Sequence, residues 1–310
     1  MKGVVIKSTG SLYQVLVDGK KQYSCKIKGK NRLLDIEFTN PITVGDYVNF
    51  TFDSQNDIGV IDKIHNRKNY IIRKSVNLSH KSQLIASNID LALLIITITN
   101  PMTSLNFIDR FLVQSEAYGI KPKLIFNKID LHDTATEQKK KKYQKIYKDI
   151  GYQTISSSIY AKNTISSIKA LLKDKVTVLT GHSGVGKSSL INMVDPTLRL
   201  KTKDISNYHN QGVHTTTYAE MFALNFGGYI IDTPGIKGLG LIDLDMNVLA
   251  GYFPEMACHG KNCKFKNCTH INEPNCEVLH AIEDNLIAKS RYKNYLSMLK
   301  ENTNYRRNNY

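Results

Sequence analysis

Over the first seventy residues, apolar and aromatic positions fall in short runs separated by turn residues. Val4–Ile6, Tyr13–Val17, Gln22–Ile27, Asp35–Phe38, Tyr47–Phe52 and Gly59–Ile64 are rich in Val, Ile, Tyr and Phe. Ser8-Thr9-Gly10, Asp18-Gly19, Lys28-Gly29-Lys30 and Val44-Gly45-Asp46 lie between them. Five or six strands in that length predict a small closed barrel. Around Arg67–Ser75 the pattern changes. Leu91–Ile98, Lys123–Phe126, Thr154–Ser156 and Val176–Thr180 read as strands. They alternate with helical stretches at Phe107–Tyr118, Thr136–Asp149 and Thr164–Lys173. This alternation predicts a mostly parallel sheet covered on both faces. After Asp243 the chain turns Cys- and Asn-rich, then helical from about Cys276 to Lys300, with an unstructured tail from Asn302. Three domains are expected, at 1–72, 73–240 and 241–310.

Composition narrows the class. The chain has 310 residues, 41% hydrophobic and 22% charged, which excludes a disordered, collagen-like or coiled-coil protein. No apolar run approaches the roughly 20 residues of a membrane-spanning helix, and Met1-Lys2-Gly3-Val4 does not begin a signal peptide. A cytoplasmic monomer that contacts no membrane is the expectation. The formal net charge is +15, and the excess of Lys and Arg extends over all three expected domains. A partner with many phosphates and mere solubility explain that excess equally well. Lys20, Lys21, Lys26, Lys28, Lys30 and Arg32 cluster in the barrel, with Tyr13 and Tyr23 as stacking surfaces. That slightly favours a barrel of the oligonucleotide-binding type over one whose lysines only block edge pairing. The run Lys139–Lys142, with Lys145 and Lys148, reads as a solvated helix face.

The strongest chemical signal is Gly181-His182-Ser183-Gly184-Val185-Gly186-Lys187-Ser188, followed by Ser189. It matches G-x-x-x-x-G-K-[ST] and sits between an apolar strand and a helix, as a phosphate-binding loop must. The glycines let backbone N–H groups converge on a β-phosphate, at a helix N-terminus. Lys187 is suited to reach β- and γ-phosphate oxygens, and Ser188 to ligate Mg²⁺. Asp232-Thr233-Pro234-Gly235 closes another buried strand; Asp232 is suited to hold Mg²⁺ and the Gly235 N–H to meet a γ-phosphate. Asn127-Lys128-Ile129-Asp130 follows the strand at 124–126. Asp130 is suited to accept from guanine N1–H and the 2-amino group, donors that adenine lacks. Asn127 would brace the loop and the Lys128 stem would lie along the base. Ser156, Ser157 and Ser158 would supply a backbone contact to the guanine oxygen. In Gly212-Val213-His214-Thr215-Thr216-Thr217 a threonine hydroxyl is suited to complete the Mg²⁺ shell. Which of Thr215, Thr216 and Thr217 does so stays open. Ile236 stands where many GTPases carry a water-orienting glutamine, so His214 is the candidate catalytic group, with loop capping as its equal alternative.

The motif order is unusual. The base motif comes first, then the phosphate loop, then D-T-P-G, an arrangement that resembles a circularly permuted GTPase. Near the end, Cys263, Cys268, His270 and Cys276 offer three thiolates and an imidazole within fourteen residues. Such a set suits one closed, structural tetrahedral Zn²⁺ site. Cys258 competes for a place; the compact later spacing favours Cys263.

Barrel, permuted GTPase and Cys₃His knot together resemble the small-ribosomal-subunit assembly GTPases known as RsgA or YjeQ. The resemblance covers nearly the whole chain. It includes Val44–Val48, Arg67-Lys68-Asn69-Tyr70, Gln83–Asn88 before Ile89-Asp90, Asp109-Arg110, His214–Thr217 and Phe253-Pro254-Glu255. It implies zinc on Cys263, Cys268, His270 and Cys276, leaving Cys258 free. It also implies a protein that binds the immature small (30S) subunit and its rRNA and hydrolyses GTP there. Departure once the decoding region has matured is the last implication. Val213 departs from the family, which usually has Lys or Arg before the histidine.

Overall fold

Five strands close the N-terminal barrel in the computed structural model, which describes residues 1–28, 38, 40–74, 82–199, 219–232 and 246–307. They are β1 (Lys2–Ser8), β2 (Tyr13–Val17), β3 (Lys21–Ile27), β4 (Tyr47–Asp53) and β5 (Ile58–Ile64). Antiparallel pairs β1–β2, β2–β3, β1–β4 and β4–β5, with a parallel β3–β5 pair, complete the ring. Period-two alternation turns Val5, Val15, Cys25, Val48, Phe50 and Ile61 inward. It turns Tyr13 inward too, at 1% exposure, and Tyr23 packs tilted against Phe50 and edge-on against Phe52. Neither tyrosine is the free stacking face expected from sequence. Of the expected strand Asp35–Phe38, only Phe38 is described, bridged to Ser82; Lys30 and Arg32 lie outside the described residues.

A hairpin of β6 (Tyr70–Lys74) and β7 (Ser82–Ser87) joins barrel to sheet. The joint is polar and fully satisfied. Buried Asp46 accepts from the Thr43 N–H (2.9 Å), the Ser87 hydroxyl (2.7 Å) and, bidentately, from Arg67 (2.7 and 2.8 Å). Gly45 has φ +92°, and a Cβ there would stand 2.1 Å from the Ser87 carbonyl oxygen. Only glycine fits.

The central sheet runs β10 (Thr154–Ser156), β9 (Lys121–Phe126), β8 (Leu91–Ile96), β11 (Val176–Thr180), β13 (Tyr229–Asp232), β12 (Glu220–Ala223). The first five are parallel and β12 is antiparallel. β8 is buried throughout, and its alternate residues feed two cores. Ala92, Leu94 and Ile96 meet Ile108, Phe111 and Leu112 of α1 (Leu105–Ala117) and Tyr147 of α2 (Thr134–Asp149). Leu91, Leu93 and Ile95 meet α3 (Lys162–Leu172) and α4 (Lys187–Val194) through Ile168, Leu172, Leu190 and Ile191. Both faces are therefore covered. In α2, Lys139, Lys141, Lys142, Lys145 and Lys148 are solvated, but Lys140 is buried and paired with Glu137 at 2.8 Å.

The C-terminal unit has a 3₁₀ stretch (Met246–Tyr252) and helices α5 (Pro254–Gly260), α6 (Glu277–Glu283) and α7 (Lys289–Arg307). The single helix expected from Cys276 to Lys300 is thus two, parted where Asn285 takes φ 60°. α7 continues past the expected end to Arg307. Leu249, Phe253, Met256, Val278, Tyr295 and Met298 form its core, and Val113 of α1 enters the same cluster. Among the described residues, no helix is long and apolar enough to cross a membrane.

Candidate functional site

The phosphate loop leaves the buried strand β11 and turns directly into α4. Its glycines are forced. Gly181, Gly184 and Gly186 have φ of 148°, 83° and 92°, and a Cβ on Gly181 would lie 2.6 Å from the Ile95 carbonyl oxygen. The loop therefore presents backbone rather than side chains, as anion binding at a helix N-terminus needs. Ser188 sits buried in the first turn of α4. Lys187 folds back and donates to the carbonyls of Gly181 (2.7 Å) and His182 (2.8 Å). These bonds hold the ammonium over the loop, within reach of any phosphate bound there. Ser183 and Gly184 are exposed, Val185 is buried in the core, and Ser189 follows on the helix.

The base motif is fastened to this loop. Asn127 follows β9, and its amide donates to the Val185 carbonyl at 2.9 Å, while the Ser157 hydroxyl donates to its oxygen at 2.7 Å. A Cβ on Gly186 would come within 2.6 Å of the same amide nitrogen. Lys128 takes the left-handed conformation (φ 61°) and donates to the Asn100 carbonyl at 2.9 Å. Asp130 is exposed, with its carboxylate held by the Ser158 hydroxyl at 2.5 Å. Of the serine run, then, Ser157 serves Asn127, and Ser156 accepts from Gln144 at 3.1 Å. Ser158 orients the Asp130 carboxylate, a contact the sequence pattern did not single out.

His182 does not face the anion cradle. Its ring packs on Phe107 of α1, with centroids 4.0 Å apart and planes at 33°. Burial, assisted by the Lys187 charge, holds the imidazole below its ordinary pKa. Asp232 ends β13 in register with Leu179, two residues before Gly181, so the backbone brings it beside the loop. Gly235, His214, Thr215 and Thr216 lie outside the described residues.

The metal-ligand set also converges. The donor atoms of Cys263, Cys268, His270 and Cys276 all lie within 4.8 Å of one another. Cys263 Sγ is 3.7 Å from His270 Nδ1 and 3.9 Å from Cys276 Sγ; Nδ1 is 3.3 Å from Cys276 Sγ. Zinc bonds of about 2.0–2.3 Å at tetrahedral angles require edges of about 3.5–3.8 Å, so these donors fit the ion. Cys258 is exposed and outside the cluster. Burial pushes the Cys268 thiol up to about 12 and raises Cys276, so loading must displace thiol protons. Around the donors, the Tyr292 and Tyr295 hydroxyls donate to the carbonyls of His270 (2.8 Å) and Thr269 (2.7 Å). Glu273 accepts from the Thr269 hydroxyl and from the Thr269, Ile271 and Asn272 N–H groups; burial raises its pKa, but these bonds, the hydroxyl first, outweigh the desolvation and hold it at about 2.

Comparison with known proteins agrees over the whole length. Residues 64–242 match the model of the RsgA GTPase, and residues 2–61 that of the RsgA N-terminal domain. A curated relative from Flavobacterium psychrophilum, the small ribosomal subunit biogenesis GTPase RsgA, is 52% identical over 96% of this chain and 92% of its own. The crystal structure of YjeQ from Thermotoga maritima superposes with a TM-score of 0.79 at 32% identity, covering 97% of each chain. YloQ, described as a circularly permuted GTPase, gives 0.75 at 30% identity, over 98% of this chain and 95% of its own.

Proposed function

The chain belongs to the RsgA family of small-ribosomal-subunit biogenesis GTPases, and from that premise we propose that it binds the immature subunit, hydrolyses GTP there and departs afterwards. The observation that carries the nucleotide part is the Asn127 amide on the Val185 carbonyl, which holds the base motif against the phosphate loop. Guanine then meets Asp130, already oriented by Ser158, and the phosphates meet the N–H groups of Gly184–Ser188. Ser188, with Asp232 and Thr215 or Thr216, would hold Mg²⁺, which neutralises charge across the β- and γ-phosphates. Lys187 exchanges its two carbonyl partners for phosphate oxygens. With Ile236 after Gly235, no side chain at that position can hold water; His214 is the group assigned to orient it.

In this reading residues 1–72 are an RNA-facing barrel, 73–240 the GTPase and 241–310 a domain built on one structural zinc. The basic surface of the first and last of these meets rRNA, and the protein works as a soluble cytoplasmic monomer. Docking on the particle brings the switch residues around the γ-phosphate and raises a low intrinsic rate. The experiment is the GTPase rate with and without purified small subunits. Stimulation of about tenfold or more is expected, as when a partner completes a GTPase site. A rate indifferent to particles overturns the proposed coupling, and equal affinity for ATP and GTP overturns the assignment of Asp130.

A further inference from the structure

Helix α1 touches both ends of the molecule's chemistry. It is entered from Asn100, whose carbonyl accepts from Lys128 of the base motif, and Ser104 caps it, its hydroxyl accepting from the Phe107 N–H at 3.2 Å. In its first turn Phe107 carries the His182 ring of the phosphate loop at 4.0 Å. Half a turn on, Asp109 is fully buried and receives three bonds. Tyr147 donates at 2.8 Å, Arg291 of α7 at 2.8 Å and Asn294 of α7 at 2.6 Å. Arg291 is itself buried and donates to both oxygens of Glu255 in α5, at 2.7 and 3.1 Å, with its guanidinium 4.5 Å over the Phe253 ring. Next along α1, Arg110 pairs with Glu301, and Val113 packs into the core of the zinc-bearing unit. Tyr292 and Tyr295, one and four residues beyond Arg291, reach the backbone of Thr269 and His270 at the metal-ligand cluster.

Every link in this series is short, and most are charge-assisted or fully desolvated. A buried ion pair with all lone pairs filled tolerates one arrangement well and others poorly. α1 cannot slide against α7 without breaking the Asp109–Arg291 pair. The phosphate loop cannot move relative to α1 without leaving the Phe107 ring. We propose that α1 is a strut that sets the phosphate loop by the position of the zinc-bearing unit, with Phe107, Asp109 and Arg291 as positioning residues. This rests on the GTPase reading and deepens it. A particle that displaces the C-terminal unit changes nucleotide affinity through α1, and bound nucleotide reciprocally restrains that unit.

The test is a double-mutant cycle on the full chain, read as the dissociation constant of a fluorescent GDP analogue. Arg291→Lys keeps the charge and removes the two-pronged guanidinium; Phe107→Leu keeps apolar volume and removes the ring face. With Phe at 107, Arg291→Lys should weaken binding by about fivefold or more. With Leu at 107 it should add little. Additive losses, or no effect of Arg291→Lys, overturn the strut. Should Arg291→Lys fail to fold, Asn294→Ala removes one Asp109 bond and leaves the ion pairs in place, with the same expected non-additivity. Hydrogen exchange gives the reciprocal reading: GDP should slow exchange in 268–283 of the parent and not in Phe107→Leu, and equal slowing in both overturns the proposal. A parent chain that binds no guanine nucleotide at all would instead defeat the GTPase reading.

Discussion

A carboxylate discriminates guanine from adenine only if its plane is held, and the Ser158 hydroxyl holds the plane of Asp130. Hydrogen bonds to charged groups are worth roughly 1.5–3 kcal/mol. Ser158→Ala should therefore cost about tenfold or more in GTP affinity and leave the weak ATP binding unchanged; Ser158→Thr should restore most of it. Competition titrations measure both. Asp130→Asn should move preference to xanthine nucleotides, which keep the N1–H donor and carry a carbonyl acceptor in place of the 2-amino group, and undiminished GTP preference in that variant would remove Asp130 from the site. His182 offers a pH reading. Burial first, and the Lys187 charge second, depress its pKa in the nucleotide-free protein. A depressed histidine favours folding above the unfolded value of about 6.5, and that contribution fades as pH falls below it. NMR titration should find His182 below 6.5 without nucleotide and higher with GDP, whose phosphates favour the cation. The sequence marks Asn127, Asp130 and Lys187 because short motifs fix their neighbours. It marks Ser158 only for a backbone contact to the base, and it is silent on the Ser158 hydroxyl at Asp130 and on the Phe107 face of His182, because those roles are set by which elements the fold brings alongside.

At the scale of elements, legibility depends on how local the cause is. The loop at 181–188, the strand before it and the helix after it follow from glycine spacing and apolar runs, and they occur where expected. Tyr13 departs from expectation because an aromatic opening a strand suggests a surface platform, whereas alternation with Val15 puts both inside. Lys140 departs because a lysine run hides the one member whose helical phase faces inward. Arg291 carries no sequence signal at all; its partners Asp109 and Glu255 lie 182 and 36 residues away in sequence. The same fastening makes two elements sensitive. Gly186→Ala places a methyl 2.6 Å from the Asn127 amide at φ +92°, so it should destabilise the loop by about 1–3 kcal/mol and loosen the base motif with it. Chemical denaturation and GTP titration read the two effects. The metal cluster should carry one zinc per chain by elemental analysis, retained in Cys258→Ala and absent from Cys276→Ala. Acid should release it, because the buried thiols regain their protons. Full zinc in Cys276→Ala would unseat the proposed ligand set.

For the whole molecule the question is how charge and topology combine. The barrel is not a free appendage: β1 meets β12 of the central sheet at Lys7 and Glu220, and Gly45, Asp46 and Arg67 fix it to the hairpin. Lys7 and Glu220 are both more than 40% exposed, so their ion pair adds little, and the fixed joint is the Asp46–Arg67 pair. A basic barrel held at a set angle to the GTPase can fit a rigid polyphosphate surface, and its lysines then act by displacing counterions. Particle binding should weaken steeply with salt. Replacing the exposed Lys20, Lys21 and Lys28 with Gln should reduce the slope of log affinity against log salt by about one unit for each phosphate no longer neutralised. Replacing Lys139, Lys141 and Lys142 on the solvated face of α2 is the matched control, because it removes the same charge from a helix that packs on the GTPase core. If net charge alone drew the protein to RNA, both triple variants would lose slope equally. If the barrel is the docking surface, only the first will. Equal losses would return the net charge of +15 to a solubility role and leave the barrel without a partner.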